Sequence, residues 1–132
     1  MPNKGYDKTN IVSNCSYSVV FCTKLRRRVL ESAVEQRLKT LLEEKVSELG
    51  EKLLDLQIKS DYVVMEVTCE PRLGIHRMIK QLKAHTSRQL REEFSQLKSR
   101  IPSLWTHHYF VKTLGEVKAS EVTFYVESQT GL

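Results

Sequence analysis

Apolar residues along this chain change their spacing several times, and each change marks an element. Asn14 to Thr23 is rich in β-branched and aromatic residues, with Tyr17, Val19 and Phe21 alternating, and predicts a strand covered on one face. From Ser32 to Leu49 the spacing turns helical through Ala33, Val34, Leu38, Leu41, Leu42, Val46 and Leu49. Ser32 with Glu35 reads as a capping box at its start, and Gly50 as its stop. Lys52–Ile58 and Tyr62–Thr68 predict two strands joined by a hairpin at Lys59–Asp61. Pro71 and Gly74 punctuate the next junction. A long helix is expected from Ile75 to about Leu97, with Met78, Ile79, Leu82, Leu90, Phe94 and Leu97 as its stripe. A strand at His108–Thr113 and a helix from Lys118 to about Ser128 complete the series.

The predicted order, β-α-β-β-α-β-α, contains the split βαβ arrangement, so the fold expected is α+β and ferredoxin-like. It has a four-stranded antiparallel sheet, two helices on one face and an added C-terminal helix. The 132 residues fit one domain. They divide into a polar leader (1–12), the ferredoxin-like core (13–113) and the terminal helix (118–129). Such a fold leaves the function open.

Charge narrows the partners. Twenty-one Lys and Arg against sixteen Asp and Glu give a net charge of +5, which favours an anionic partner. Lys24, Arg26, Arg27 and Arg28 gather in one turn, while Lys80, Lys83, Arg88 and Arg91 stud the long helix. Such clusters suit a phosphate backbone. Tyr17, Phe110 and Trp105 offer rings for an unpaired base, with core packing favoured for Trp105. Cys15, Cys22 and Cys69 form no CxxC pair and read as buried thiols of a reducing compartment. No stretch approaches membrane-spanning length, and the expected location is the cytoplasm. His107 and His108 are adjacent on an expected strand, so they would face opposite sides and could not chelate one ion.

The end of the chain carries candidate chemistry. Tyr125 and Gln129, four apart, share one side of a helix and set a potential nucleophile beside a potential metal ligand. Tyr17 to Leu30, Leu82 to Arg88, Leu104-Trp105 and Tyr125 to Gln129, in that order, resemble the single-tyrosine HUH transposases of the insertion-sequence 200/605 family. The resemblance implies a homodimer that binds hairpins and moves DNA as single strands through a 5′-phosphotyrosine link. It makes Tyr125 the nucleophile and Gln129 a ligand of Mg2+ or Mn2+. The same resemblance expects histidines where this chain has Tyr62 and Val64. Valine binds no cation, so weak or absent cleavage is expected, with DNA binding retained. Two alternatives stand beside this reading. One is an active transposase whose metal is held by Glu66, on the same face of its strand, and Gln129. The other is a dimerisation module that never meets DNA.

Overall fold

A computed structural model describes residues 15–98 and 103–116. Six elements build the fold: β1 (Cys15–Cys22), α1 (Ala33–Glu48), β2 (Leu53–Ile58), β3 (Tyr62–Cys69), α2 (Ile75–Glu93) and β4 (Phe110–Glu116). The sheet is antiparallel in the order β2-β3-β1-β4. That is the ferredoxin-like order, with the two central strands separated in sequence by α1 and β2. The terminal helix expected at 118–129, with Tyr125 and Gln129, lies outside the described residues.

Both helices cover one face. Val19, Phe21, Val63, Met65 and Val67 alternate toward them and meet Leu38, Leu42, Val46, Met78, Ile79, Leu82 and Leu90, all nearly inaccessible. Period-2 strands and period-3.6 helices deliver their apolar positions to the same layer, and burying them drives the fold. A bidentate pair from Arg37 to Glu93, at 2.8 and 3.0 Å, ties α1 to the end of α2.

Several boundaries differ from the sequence expectation. Ser32 sits at φ 55° and its side chain makes no cap bond, so the capping box does not form; its carbonyl instead accepts from the Gln36 amide. Gly50 does close α1, at φ +80° where only glycine is free of strain. α2 ends at Glu93, four residues early, because Phe94 turns extended. A short 3-10 turn at Ser95–Leu97 then returns Leu97 to the core, which is why the helical spacing persists past the helix.

β4 begins at Phe110 and runs to Glu116, three residues beyond the expected span. A bulge opposite Ser16 and Tyr17 absorbs an extra residue and lets the glycine lie within the strand. His107 and His108 therefore precede the strand. They are exposed, with ring centroids 5.8 Å apart, and the alternation argument does not apply to them. Of the three cysteines only Cys69 is fully buried; Cys15 and Cys22 are half-buried.

Candidate nucleic-acid interface

The turn after β1 is held from two sides. The Thr23 amide donates to the Asp61 carbonyl at 3.0 Å, and the Leu30 amide to Ser60 at 2.9 Å, both on the β2–β3 hairpin. On the other side the Lys24 amide donates to Leu104 at 2.8 Å, and the Thr106 amide to Cys22 at 2.9 Å. Between these anchors Leu25 and Arg26 take left-handed backbone angles, φ 60° and 55°. Such angles cost a non-glycine residue about 1–2 kcal/mol and hold only when neighbours fix them. Arg26 turns back to Asp61, donating Nε–H at 2.9 Å with a second nitrogen 2.8 Å away. Its charge is thus partly matched within the protein. Arg28 is exposed and Arg27 half-buried.

These anchors bring Lys24 to the edge of an open groove of about 960 Å³ between α2 and the 103–109 segment. Lys80, Lys83, Arg88 and Arg91 border it from α2, and Lys98 from beyond the helix; among the described residues Glu92 is the one acid along it. One face of α2 presents them because positions 80, 83, 84, 87, 88 and 91 repeat at helical spacing. Five of the eight basic residues singled out from the sequence therefore line one concavity. Arg26, Arg27 and Arg28 do not line it.

Trp105 lies beside the groove yet is 1% exposed, in keeping with the core role expected of it. Its ring meets Phe21 edge-on, with centroids 4.7 Å apart, and its indole N–H donates to Thr86 Oγ1 at 2.9 Å. Tyr17 also packs on the core. Phe110 alone of the three candidate stacking rings is largely exposed, at 59%.

Lys83 has a different position from its neighbours. Its ammonium donates to the Thr106 carbonyl at 2.6 Å and lies 3.4–3.5 Å from those of His107 and His108. It also sits 5.2 Å from the centre of the Tyr109 ring. Burial pushes its pKa down from the ordinary lysine value. Lys83 fastens the 106–108 segment to α2, and Tyr109 is held further by a 2.8 Å bond between its hydroxyl and His76 Nδ1. Sequence reasoning missed Tyr109, His107 and Ser103 as groove residues, because only the fold brings that segment against α2.

The other face of the sheet carries Tyr62, Val64 and Glu66 in alternation along β3. Tyr62 and Val64 are half-buried and Glu66 is 8% exposed. Burial raises the Glu66 pKa above the usual carboxylate value, with the nearby Asp55 charge adding to the effect. Among the described residues no group of three or more His, Cys, Asp or Glu is placed to hold a metal ion.

An antiparallel split-βαβ sheet with a cationic groove along its second helix defines a ferredoxin-like domain. Within that class the sequence decides. Residues 11–129 match the family described as "Transposase IS200 like", and the chain belongs to it. The ISDra2 transposase TnpA of Deinococcus radiodurans is 27% identical over 120 residues, 89% of this chain and 86% of that protein. The transposase for insertion sequence element IS200 of Salmonella typhimurium is 24% identical over 118 residues, 88% of this chain and 77% of that protein.

Among solved structures, a candidate transposase from D. radiodurans R1 superposes with a TM-score of 0.76 at 28% identity, covering 92% of this chain and 95% of that one. A REP-associated tyrosine transposase bound to a REP hairpin gives a TM-score of 0.60 at 10% identity. It covers 94% of this chain and 68% of that one, a likeness of fold. No helix among the described residues is long and apolar enough to cross a membrane.

Proposed function

We propose that this single-domain protein is a homodimeric, cytoplasmic DNA-binding member of the transposase family whose cleavage site is impaired. The observation that carries this reading is the pair of side chains at Tyr62 and Val64. The family resemblance expects two imidazoles of a divalent-cation site at these positions, and this chain presents a phenol and an isopropyl group. A lone phenol is a poor ligand for a hard divalent cation and an alkyl group is none, so these residues do not fit Mg2+ or Mn2+.

The DNA-binding half of the reading rests on the groove. Lys24, Lys80, Arg88 and Arg91 line one concavity of a size and charge suited to a phosphate backbone, and the ligand proposed is hairpin or single-stranded DNA. Arg28 adds a cation on the adjoining turn. In the family's chemistry the Tyr125 phenol oxygen attacks a DNA phosphate, forming the 5′-phosphotyrosine link as the bond from phosphorus to the 3′ oxygen breaks, and the leaving 3′ oxygen takes up a proton to become a free 3′-hydroxyl. Gln129 is proposed as a ligand beside it. A phenol with a pKa near 10 needs help to act at neutral pH, and its loss here predicts slow or absent strand cleavage.

A second reading is favoured by the buried carboxylate at Glu66, which with Gln129 would give an active enzyme a non-standard metal site. Incubation of the protein with hairpin DNA and Mg2+ or Mn2+, beside Tyr125→Phe, separates the readings. Binding without a covalent adduct supports the impaired site. A Tyr125-dependent adduct overturns it in favour of the second reading, and no salt-sensitive binding at all would leave only a dimerisation module.

A further inference from the structure

The basic turn after β1 displays a side chain that the groove does not use. Leu25 stands at φ 60° and Arg26 at φ 55°, and Leu25 is 75% exposed. A single exposed leucine is ordinary on a surface. Two consecutive left-handed residues without glycine are not, because each crowds its own carbonyl and persists only where neighbours enforce it. Here they do. Backbone bonds from Thr23 to Asp61, Lys24 to Leu104 and Leu30 to Ser60 fix the turn at both ends. Thr23 Oγ1 closes it by donating to the Arg27 carbonyl at 2.7 Å. Val29 packs on the core and Leu30 is buried, so the segment sends two apolar side chains inward and one outward. Arg26 folds back on Asp61, which leaves Leu25 standing clear of it.

The surroundings of that leucine are cationic. Lys24 before it borders the groove, and Arg28 after it is exposed. Cys22, at the end of β1, pairs with Tyr62, so the turn links the groove wall at 104–106 with the Tyr62 end of β3. An apolar side chain flanked by cations complements a ligand with anionic groups around an apolar face. Nucleic acid with an open base step is such a ligand.

We propose that Leu25 is a wedge that enters a base step of the bound DNA at the junction of hairpin stem and single strand, while Lys24 and Arg28 hold the flanking phosphates. A step at that junction opens at least cost, because one side is already unpaired. The strained turn is the device that keeps the leucine out of the core and aimed at the ligand. The wedge rests on the DNA-binding reading above and adds a positioning residue to it.

The test uses the full-length protein without metal and a DNA hairpin with a single-stranded flank, carrying 2-aminopurine at successive positions across the junction. This base brightens when it is unstacked. The parent is expected to brighten it at one or two adjacent positions. Leu25→Ala and Leu25→Gly should lose the brightening and bind about fivefold or more weakly, with the salt slope unchanged. Leu25→Met, apolar and of like size, should keep both. Leu25→Gly relieves the left-handed strain and should raise the urea midpoint, so its weaker binding cannot come from a damaged fold. Parent-like affinity and brightening in Leu25→Ala and Leu25→Gly overturn the wedge and leave the DNA-binding reading standing. Binding by the parent with no brightening at any position does the same. If Leu25→Ala turns a dimer into a monomer in sedimentation with brightening unchanged, the leucine serves a second copy of the chain and the wedge is wrong. No salt-sensitive binding by the parent overturns the DNA-binding reading itself, and the wedge with it.

Discussion

Lys83 provides a sharp test of how the groove works, because its position argues for a clamp and its charge argues for a phosphate contact. Substituting Lys83→Met keeps the aliphatic stem and removes the ammonium that donates to Thr106 at 2.6 Å and sits near two further carbonyls. A hydrogen bond from a charged group contributes about 1.5–3 kcal/mol, less the cost of holding that charge out of water. The depressed pKa of Lys83 shows that this cost is present, so a net loss of about 1–2 kcal/mol is expected. Lys80 and Arg88 are exposed in the same groove, and substituting them should leave stability within about 0.5 kcal/mol.

DNA binding separates the roles further. Each lost phosphate contact reduces the slope of log K against log salt by about 0.7 for single strands and about 0.9 for duplex. Lys80→Met and Arg88→Met should each lower the slope by about that amount. Lys83→Met should weaken binding through the loosened 106–108 segment with little change in slope. The assay is fluorescence anisotropy of a labelled hairpin across a salt series, with urea denaturation of the same proteins. If Lys83→Met leaves stability intact and removes a full contact's worth of slope, Lys83 touches phosphate and the clamp reasoning is wrong.

Other consequences follow from single side chains. Trp105→Phe removes the indole N–H from Thr86 Oγ1 and should cost about 1–3 kcal/mol, read by circular dichroism in urea because Trp105 is the chain's sole tryptophan. For the same reason its emission in the parent should be that of a buried indole and should respond to DNA entering the groove. Burial, with Glu51 and Glu70 nearby, pushes the Cys69 thiol up to about 11 from 9.0. Between those values the unfolded chain has released a proton that the native state keeps. Stability should therefore be flat in this respect below about pH 9 and fall by on the order of 1–2 kcal/mol as pH rises toward 11, and Cys69→Ala should remove that fall. Arg26→Ala, breaking a pair whose arginine is 62% exposed, should cost less than about 1 kcal/mol in thermal unfolding.

Much of the fold was legible because its periodicities are strong. α1, β3 and the apolar stripe of α2 appear in the sequence at spacings that only a helix or a strand would produce. The misplaced boundaries share a cause: at each, tertiary structure overrode a local signal. Ser32 has a capping residue's chemistry but a backbone angle that turns its hydroxyl away from the role. Phe94 and Leu97 continue a helical rhythm that a 3-10 turn completes. The expected strand stops at Thr113, yet a bulge carries β4 on to Glu116.

The groove was half legible. Spacing along α2 gathered Lys80, Lys83, Arg88 and Arg91, but nothing in the sequence says that Ser103, His107 and Tyr109 form the opposing wall. Sequence also cannot separate Lys83, held by carbonyls, from Lys80, which faces solvent. The Asp55–Glu66 pairing depends on register and on a bulge in β2, neither of which a hydrophobic pattern encodes. Tyr125 and Gln129 remain proposals from the sequence, since they lie outside the described residues.

The central claim is that the chain binds hairpin DNA with a cleavage site disabled at Tyr62 and Val64. The most direct measurement compares covalent adduct formation on hairpin DNA, with Mg2+ or Mn2+, between the parent and the Tyr62→His/Val64→His double variant, with Tyr125→Phe in each background. The account predicts that both proteins bind the hairpin and that only the double variant forms an adduct, lost again with Tyr125→Phe. A Tyr125-dependent adduct in the parent would contradict it.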